Sequence, residues 1–412
     1  MMNPRLLLAL FMLVLVSAVR QPRRTSIALS TIVFGVVGMI IASGFIEWNL
    51  WFGRESLIRS QYGHVRIYRP GYLEVGQAAP FDYLLPTEGP EFSAVESMPG
   101  VTTVAPRLSF AGLVSRGEST LSFLADGVDP RREVALSQAL TILEGHGLDA
   151  ADPTGFLLGQ GLALNLGAKV GDSVVLVANT PSGGINAVEG RVRGLFSTIT
   201  KAYDDVALRL PIATAHTLLR TTGSHYWAIL LDDTDRTTEA VTRLRARLDS
   251  SRFQVVPWMN LADFYNKTAA LFGRQMGVMK LLIAIIIVLS ISNSLTTSVI
   301  ERTREIGTSM ALGNTRNTVL KQFVLEGAVL GLIGCGLGLA LGIFLSSIIS
   351  FFGIPMPPAP GMSYGFTAKI MVTPWLALEA CLIAMVSAIV ASVYPAWRAS
   401  NMVIVDALRQ GR

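Results

Sequence analysis

The sequence predicts a membrane protein with four transmembrane α-helices and a large extracytoplasmic α+β domain carried on helical stalks. Three observations lead there. Of 412 residues, 51% are hydrophobic and 15% charged, with a mean hydropathy of +0.48, too apolar a balance for a soluble chain. The charge is also segregated. Glu47–Phe272 holds 20 Lys/Arg against 24 Asp/Glu, a net of −4, while the remainder holds 14 against 5, a net of +9. Those cations flank apolar runs, which is positive-inside bias rather than a nucleic-acid face, despite a pI near 9.3. Finally, four apolar runs are long enough to cross roughly 30 Å of hydrocarbon.

Residues 1–24 read as a cytoplasmic or interfacial elbow. The apolar run Leu6–Val19 would extend about 21 Å as a helix, too short to span. A signal peptide fits it loosely, but Arg20, Arg23 and Arg24 follow as the cytoplasmic flank of the next span. Residues 25–46 form the first transmembrane helix, with Trp48 and Trp51 at the level of an outer aromatic belt and a helical pattern that continues to Ile58.

Residues 47–272 form the extracytoplasmic domain with its stalks. Alternating or β-rich runs predict strands at His64–Tyr68, Val101–Val114, Leu121–Leu124, Val174–Val177, Val188–Leu195, Trp227–Leu231 and Phe253–Val256. Helices are predicted at Arg132–Leu143, Gly159–Leu166, Ile212–Leu219 and Thr237–Asp249, with a subdomain boundary around Leu143–Thr154. From Asn260 a helical pattern runs unbroken to Val299. About forty helical residues measure about 60 Å, twice the hydrocarbon. Its outer part carries Asp263, Lys267, Arg274 and Lys280, so a stalk continuous with the second transmembrane helix, 273–299, is expected.

Residues 300–317 are a short charged segment between two spans. Glu301, Arg302, Arg304 and Glu305 precede an amphipathic piece with Ile306 and Met310 four apart and Leu312 nearby, closed by Gly313, after which Asn314 or Thr315 can cap a new helix. The third transmembrane helix, 318–352, carries small-xxx-small ladders at Gly327/Gly331 and Gly334/Gly338/Gly342, suited to close backbone approach. A Pro-rich outer loop, 353–372, leads to the fourth transmembrane helix, 373–395, with Ala380, Ala384, Ala388 and Ala391 available for packing, and 396–412 is a basic cytoplasmic tail. Both termini are expected in the cytosol.

The run ERTREIG…ALG…R…VLKQF..EG, followed by a glycine-rich span, resembles the signature of FtsX/MacB-type ABC permeases, the lipoprotein-releasing subunits included. The turn Asn314-Thr315-Arg316-Asn317 is less basic than the usual family form. GQGLALNLGAKVGDSVVLVA also resembles a helix–turn–strand unit of that family's extracytoplasmic domain, so 47–272 is identified as a MacB-like periplasmic core domain. The resemblance implies a permease subunit in a bacterial inner membrane, working by mechanotransmission. A partner ABC ATPase dimer would carry ATP and Mg, and a second permease chain, identical or homologous, would complete the complex. Lipoprotein or another hydrophobic substrate would be lifted from the outer leaflet to a periplasmic carrier. The alternatives are MacB-type efflux of drugs, peptides or lipids with a periplasmic adaptor, or FtsX-like signalling to a cell-wall hydrolase.

Catalytic and metal chemistry is not expected. His64, His146, His216 and His225 lack zinc spacing and read as surface or loop residues, and there is no G-x-x-x-x-G-K-[ST], so ATP hydrolysis is assigned to a separate subunit. Cys335 and Cys381 fall within apolar spans. Ile306 and Met310 have no obvious core of their own, so a groove on the ATPase is their expected destination. Two carboxylates fall inside spans, where charge is costly. Glu326 is expected to snorkel or pair with Lys321 or Arg316, ahead of a direct coupling role, and Glu379 to be solvated from the outer aqueous phase, ahead of lining a lateral cavity for a substrate head group.

Overall fold

A computed structural model describes residues 22–76, 78–358, 362 and 365–403. The predicted elbow at Leu6–Val19 and the end of the tail lie outside the described residues. Two compact units emerge: Met1–Leu50 with Ala269–Ile354 and Thr367–Arg412, and Trp51–Thr268 with Pro355–Phe366.

The first unit is a helix bundle. Among the described residues, four helices are long and apolar enough to cross a membrane: α1 (Pro22–Leu57), α8 (Asp263–Glu301), α10 (Arg316–Phe352) and α11 (Pro374–Ser400). Their shared core joins Ile32, Val36 and Ile40 of α1 to Ile287 and Ile291 of α8, Leu330 of α10 and the alanine row of α11. Ala380, Ala384, Ala388 and Ala391 are all buried there, as their spacing predicts. Helices α1 and α8 also meet through a hydrogen bond from Ser290 Oγ to Thr31 Oγ1 of 2.9 Å. Trp48 turns inward and is buried, whereas Trp51 stays exposed. Helix α11 does not stop at Pro395. The buried pairs Ala391/Ser392, Pro395/Ala396 and Ala399/Ser400 recur every fourth residue straight through it. Packing of that stripe offsets the one backbone bond a proline removes.

The second unit is built on a ten-stranded mixed sheet in the order β10-β1-β9-β2-β3-β8-β5-β7-β4, with β6 paired to β2 and β7. The strands are β1 (Val65–Tyr68), β2 (Val101–Arg116), β3 (Ser119–Val128), β4 (Thr141–Gly145), β5 (Gly155–Gly159), β6 (Ser173–Asn179), β7 (Ile185–Ser197), β8 (Ala207–Pro211), β9 (Tyr226–Leu231) and β10 (Gln254–Pro257). Helices α2 (Pro90–Glu96), α3 (Pro130–Leu136), α4 (Gln160–Leu166), α5 (Lys201–Asp204), α6 (Ile212–Leu219) and α7 (Thr237–Arg247) complete it. Every strand expected from alternation is present. The strands β4, β5 and β8 are not among those expected. Helix α3, capped by the Asp129 side chain accepting from Arg131 N–H, stops at Leu136 rather than Leu143. The β-branched Thr141 and Ile142 pair with Ser197 and Phe196 instead. No subdomain boundary falls at Leu143–Thr154, because β4 and β5 are both bound to β7 of the same sheet.

The histidine expectation fails at two positions. His64 and His225 are fully buried. His64 Nδ1 accepts from Leu231 N–H at 3.0 Å, which leaves Nε2–H to donate to Thr234 Oγ1 at 2.8 Å. His225 Nδ1 accepts from Ser109 N–H at 3.1 Å, with its ring stacked on Tyr72.

One apolar cluster of this unit holds the roots of two long helices together. Ile58, just past α1, and Ala262, just before α8, pack with Tyr68, Ala105, Leu136, Tyr226 and Trp258. Tyr265, in the first turn of α8, sits edge-on to Trp258.

Candidate functional site

The charged segment after α8 forms a compact unit at one end of the bundle. Thr303 Oγ1 donates back to the carbonyls of Val299 and Ile300 at 3.0 and 2.8 Å. Arg302, at φ −95° and ψ 11°, leaves the helical region there and separates α8 from helix α9 (Thr303–Ala311). At the far end Gly313 has φ +101°, a conformation open to glycine, and Thr315 caps α10 by accepting from Thr318 N–H at 3.3 Å.

Helix α9 has two faces, and the sequence reading placed the wrong one outward. Ile306 is buried, and Met310 packs beside it, against Val299, Val319, Phe323, Ala396 and Ala399. These side chains therefore do have a core of their own. The first turns of α10 supply one wall and the stretch of α11 beyond Pro395 supplies the other. Taking Pro395 as the helix end concealed that second wall.

The outward face is Arg304, Glu305, Thr308, Ser309, Leu312 and Asn314, which line a shallow groove of about 510 Å³. Leu312 is 85% exposed in it, an apolar side chain ringed by polar ones, as at a docking surface. Glu301 is exposed at the start of the segment. Arg302 Nε lies 3.3 Å from Glu305 Oε2, and its Nη1 lies 3.7 Å from Glu326 Oε2. Glu326 thus meets a cation of the loop between α8 and α9, where the sequence pointed to Lys321 or Arg316.

Glu379 is likewise paired rather than simply solvated. Its Oε2 lies 2.7 Å from Lys280 Nζ, an ion pair joining α11 to α8. By sequence alone Lys280 belongs to the stalk's charged outer stretch. Its partner lies 99 positions away, beyond the reach of any local pattern.

The glycine ladder serves two neighbours within the chain. A Cβ built on Gly327 or Gly331 would meet Ser392 Cβ at 2.6 Å or Ala388 Cβ at 2.8 Å, both on α11. On Gly334, Gly338 or Gly342 it would meet Ile32, Val36 or Ile40 of α1 at 2.6–2.8 Å. The small residues therefore seat α10 against α11 on one half and α1 on the other. Among the described residues, no three His, Cys, Asp or Glu side chains gather in a group that could hold a metal ion.

Comparison with known proteins places this arrangement in a family. Residues 25–247, more than half of the chain, match the model for a MacB-like periplasmic core domain. Residues 277–404 match the FtsX-like permease C-terminal model. The chain is 28% identical over 358 residues to the macrolide export ATP-binding/permease protein MacB of Rhodospirillum rubrum, covering 82% of this chain and 52% of that one. It thus spans about half the length of that relative. It is 26% identical over 332 residues to the lipoprotein-releasing system transmembrane protein LolC of Xylella fastidiosa, covering 76% of this chain and 78% of that one. Among solved structures, the periplasmic region of MacB from Actinobacillus actinomycetemcomitans matches 51% of this chain and 95% of its own, at 13% identity and a TM-score of 0.37. Four apolar helices, a core domain inserted between the first two of them, and the matched C-terminal permease region identify the chain as an ABC transporter permease of the MacB/LolC/FtsX family.

Proposed function

We propose that the chain is the membrane subunit of a mechanotransmission machine. A cytosolic ATPase dimer docks on the α9 groove, and its ATP-driven closure displaces the ends of α8 and α10. The long helices carry that displacement to the extracytoplasmic domain, with both termini in the cytosol. ATP and Mg are held by the ATPase, and this chain binds and positions. The observation that carries the reading is the outward face of α9, where exposed Leu312 sits among Arg304, Glu305 and Thr308 on a helix whose other face is packed into the bundle. A second permease chain completes the complex. Its contact is assigned to the open face of α1 and α8, where Phe34 is 71% exposed and Gly38 faces open space, since the α10 ladder is occupied within the chain. Lipoprotein or another hydrophobic molecule of the outer leaflet is the proposed substrate, passed to a periplasmic carrier or adaptor. In support, the lipoprotein-releasing relative is matched over most of its own length as well as this chain's.

The test is Leu312→Asp beside Met310→Lys. A charge at Leu312 falls in the docking groove and abolishes ATPase co-purification while the chain still folds. Lysine at half-buried Met310 enters the chain's own core, where an unpaired charge costs several kcal/mol, and lowers the melting temperature first. Unchanged ATPase recovery and transport with Leu312→Asp would show that the groove is not the docking surface.

A further inference from the structure

The chain that leaves α1 makes one π-turn, Ile58–Tyr62, before Gly63, at φ +68°, swings it into β1. A helix end leaves its last carbonyls without partners. Gly63 N–H takes the Ile58 carbonyl at 2.8 Å. Ala139 N–H takes the Arg59 carbonyl at 3.4 Å, and the three carbonyls after it are reached by three arginines from three different strands. Arg209 of β8 donates to Ser60 O at 2.5 Å, Arg107 of β2 to Gln61 O at 2.7 Å, and Arg66 of β1 to Gln61 O at 2.7 Å and Tyr62 O at 3.0 Å.

Arg107 and Arg209 are each 1% exposed. Both are bound to one buried carboxylate, Glu133, at 2.6 and 3.0 Å. The Arg66 guanidinium lies over the Tyr226 ring, 4.2 Å from its centroid. Buried ion networks of this kind are poor sources of stability, since apolar side chains of equal volume often do better. What they supply is a unique geometry. The aligned carbonyls carry partial negative charge at a helix C-terminus, which complements the cations. The grip also spans five adjacent strands, β1-β9-β2-β3-β8. A load on the helix end is thus shared by the sheet instead of bending a single strand.

We propose that Arg66, Arg107 and Arg209 are positioning residues that clasp the root of α1 to the outer sheet, the joint through which movement of that helix reaches the extracytoplasmic domain. This rests on the mechanical reading above and adds the residues that make it work. Polar contacts in this turn and the one before it steady the same root: Arg59 Nη1 to Gln138 Oε1 at 3.0 Å, and Thr234 Oγ1 donating to Glu55 Oε1 at 2.7 Å.

The experiment is hydrogen exchange on the full chain co-purified with its ATPase in nanodiscs, with and without ATP and vanadate. The parent is expected to change exchange both at Thr303–Ala311 and in the outer hairpin of β6 and β7. In Arg209→Met the response at Thr303–Ala311 and the ATPase rate stay within twofold of the parent, while the response of the hairpin falls at least fivefold. Arg209→Lys, which keeps the charge, recovers part of it. A merely structural role would lower the melting temperature without separating the two responses. Should Arg209→Met fail to melt cooperatively, Arg66→Gln carries the test, since Arg66 is less buried and still contributes two of the carbonyl contacts. A full hairpin response in a folded clasp variant overturns the proposal alone. A parent hairpin that ignores ATP overturns the mechanical reading, and the clasp with it.

Discussion

Replacing Gly338 by alanine tests the tightest part of the bundle with a single methyl group. That carbon would sit 2.8 Å from Val36 Cβ, 3.0 Å from Val36 Cγ1 and 3.2 Å from Val33 O. Carbon atoms rest at about 3.5–4.0 Å, so α1 and α10 must part locally by roughly 1 Å. Neither Val36 Cβ nor a backbone oxygen can swing aside as a long side chain would. Overpacking of this kind costs about 1–3 kcal/mol, and Gly338→Leu lies at or beyond the upper end. The control is Gly336→Ala, one residue pair away on the same helix, where nothing lies within 4 Å of the added carbon. There, helix propensity favours alanine by about 1 kcal/mol. Both variants gain that propensity, so they should differ by the overpacking alone, about 1–3 kcal/mol. Cys335, 6% exposed in the same helix, provides the assay. Its labelling by a thiol-reactive dye on heating reports opening of the bundle, in a Cys381→Ser background. Gly338→Ala should label at a clearly lower temperature than Gly336→Ala. Equal midpoints would mean that α1 does not pack on this face of α10.

The remaining predictions address charge. Burial lowers the pKa of both His64 and His225 to about 4 from an ordinary 6.5, so each is neutral in the folded state and binds a proton more readily once unfolded. Each therefore contributes stability that is full above about pH 6.5 and lost as pH falls toward 4, up to about 3 kcal/mol per site. The melting temperature of the extracytoplasmic domain, followed in the intact chain, should fall steeply from pH 7 to 4.5, and a flat profile would contradict the neutral, buried assignment. Lys280→Met leaves Glu379 without its cation. With side chains 23% and 39% exposed, the loss should be about 1–2 kcal/mol, between exposed and buried pairs, and Lys280→Met with Glu379→Gln should recover most of it. A double variant no better than the single would show that the two groups do not interact.

The legible parts of this chain are those written in local pattern. Span number, the continuous helix from Asp263 to Glu301 and the burial of the glycine and alanine rows follow from apolar length, flanking charge and spacing at three or four residues. The strands that alternate were legible too. Gly155–Gly159 was not, because a five-residue apolar run has no period to read, and it is buried on both faces between β7 and β8. The strand Ala207–Pro211 is equally short and buried throughout, and its Arg209 reads as a surface residue until Glu133 and Ser60 O are seen beside it. Helix α9 shows a related limit. Ile306 and Met310 four apart establish that one face is apolar, but not which surface covers it.

That correction changes how a push on α9 would travel. A hinge lying free on the membrane could tilt alone, whereas a helix whose inner face is locked to Val319 and Phe323 of α10 and to Ala396 and Ala399 of α11 must move those helices with it. From α10 the next contact is the ladder, where Gly334, Gly338 and Gly342 leave room for the side chains of α1 to rest on backbone. The glycine side of each contact has no rotamer in which to absorb a displacement. Helix α1 then runs without a break to Leu57, and the turn beyond it ends in the arginine clasp. Each junction on this route is made of stiff parts: a packed helix face, glycine-to-side-chain contact, a continuous helix and a charged cap. A coupling variant should therefore reveal its position by what still responds. On the proposed reading, severing the route at Leu312 would silence everything beyond the ATPase, loosening it at Gly338 would weaken the bundle and the outer domain together, and cutting it at Arg209 would silence the outer domain alone.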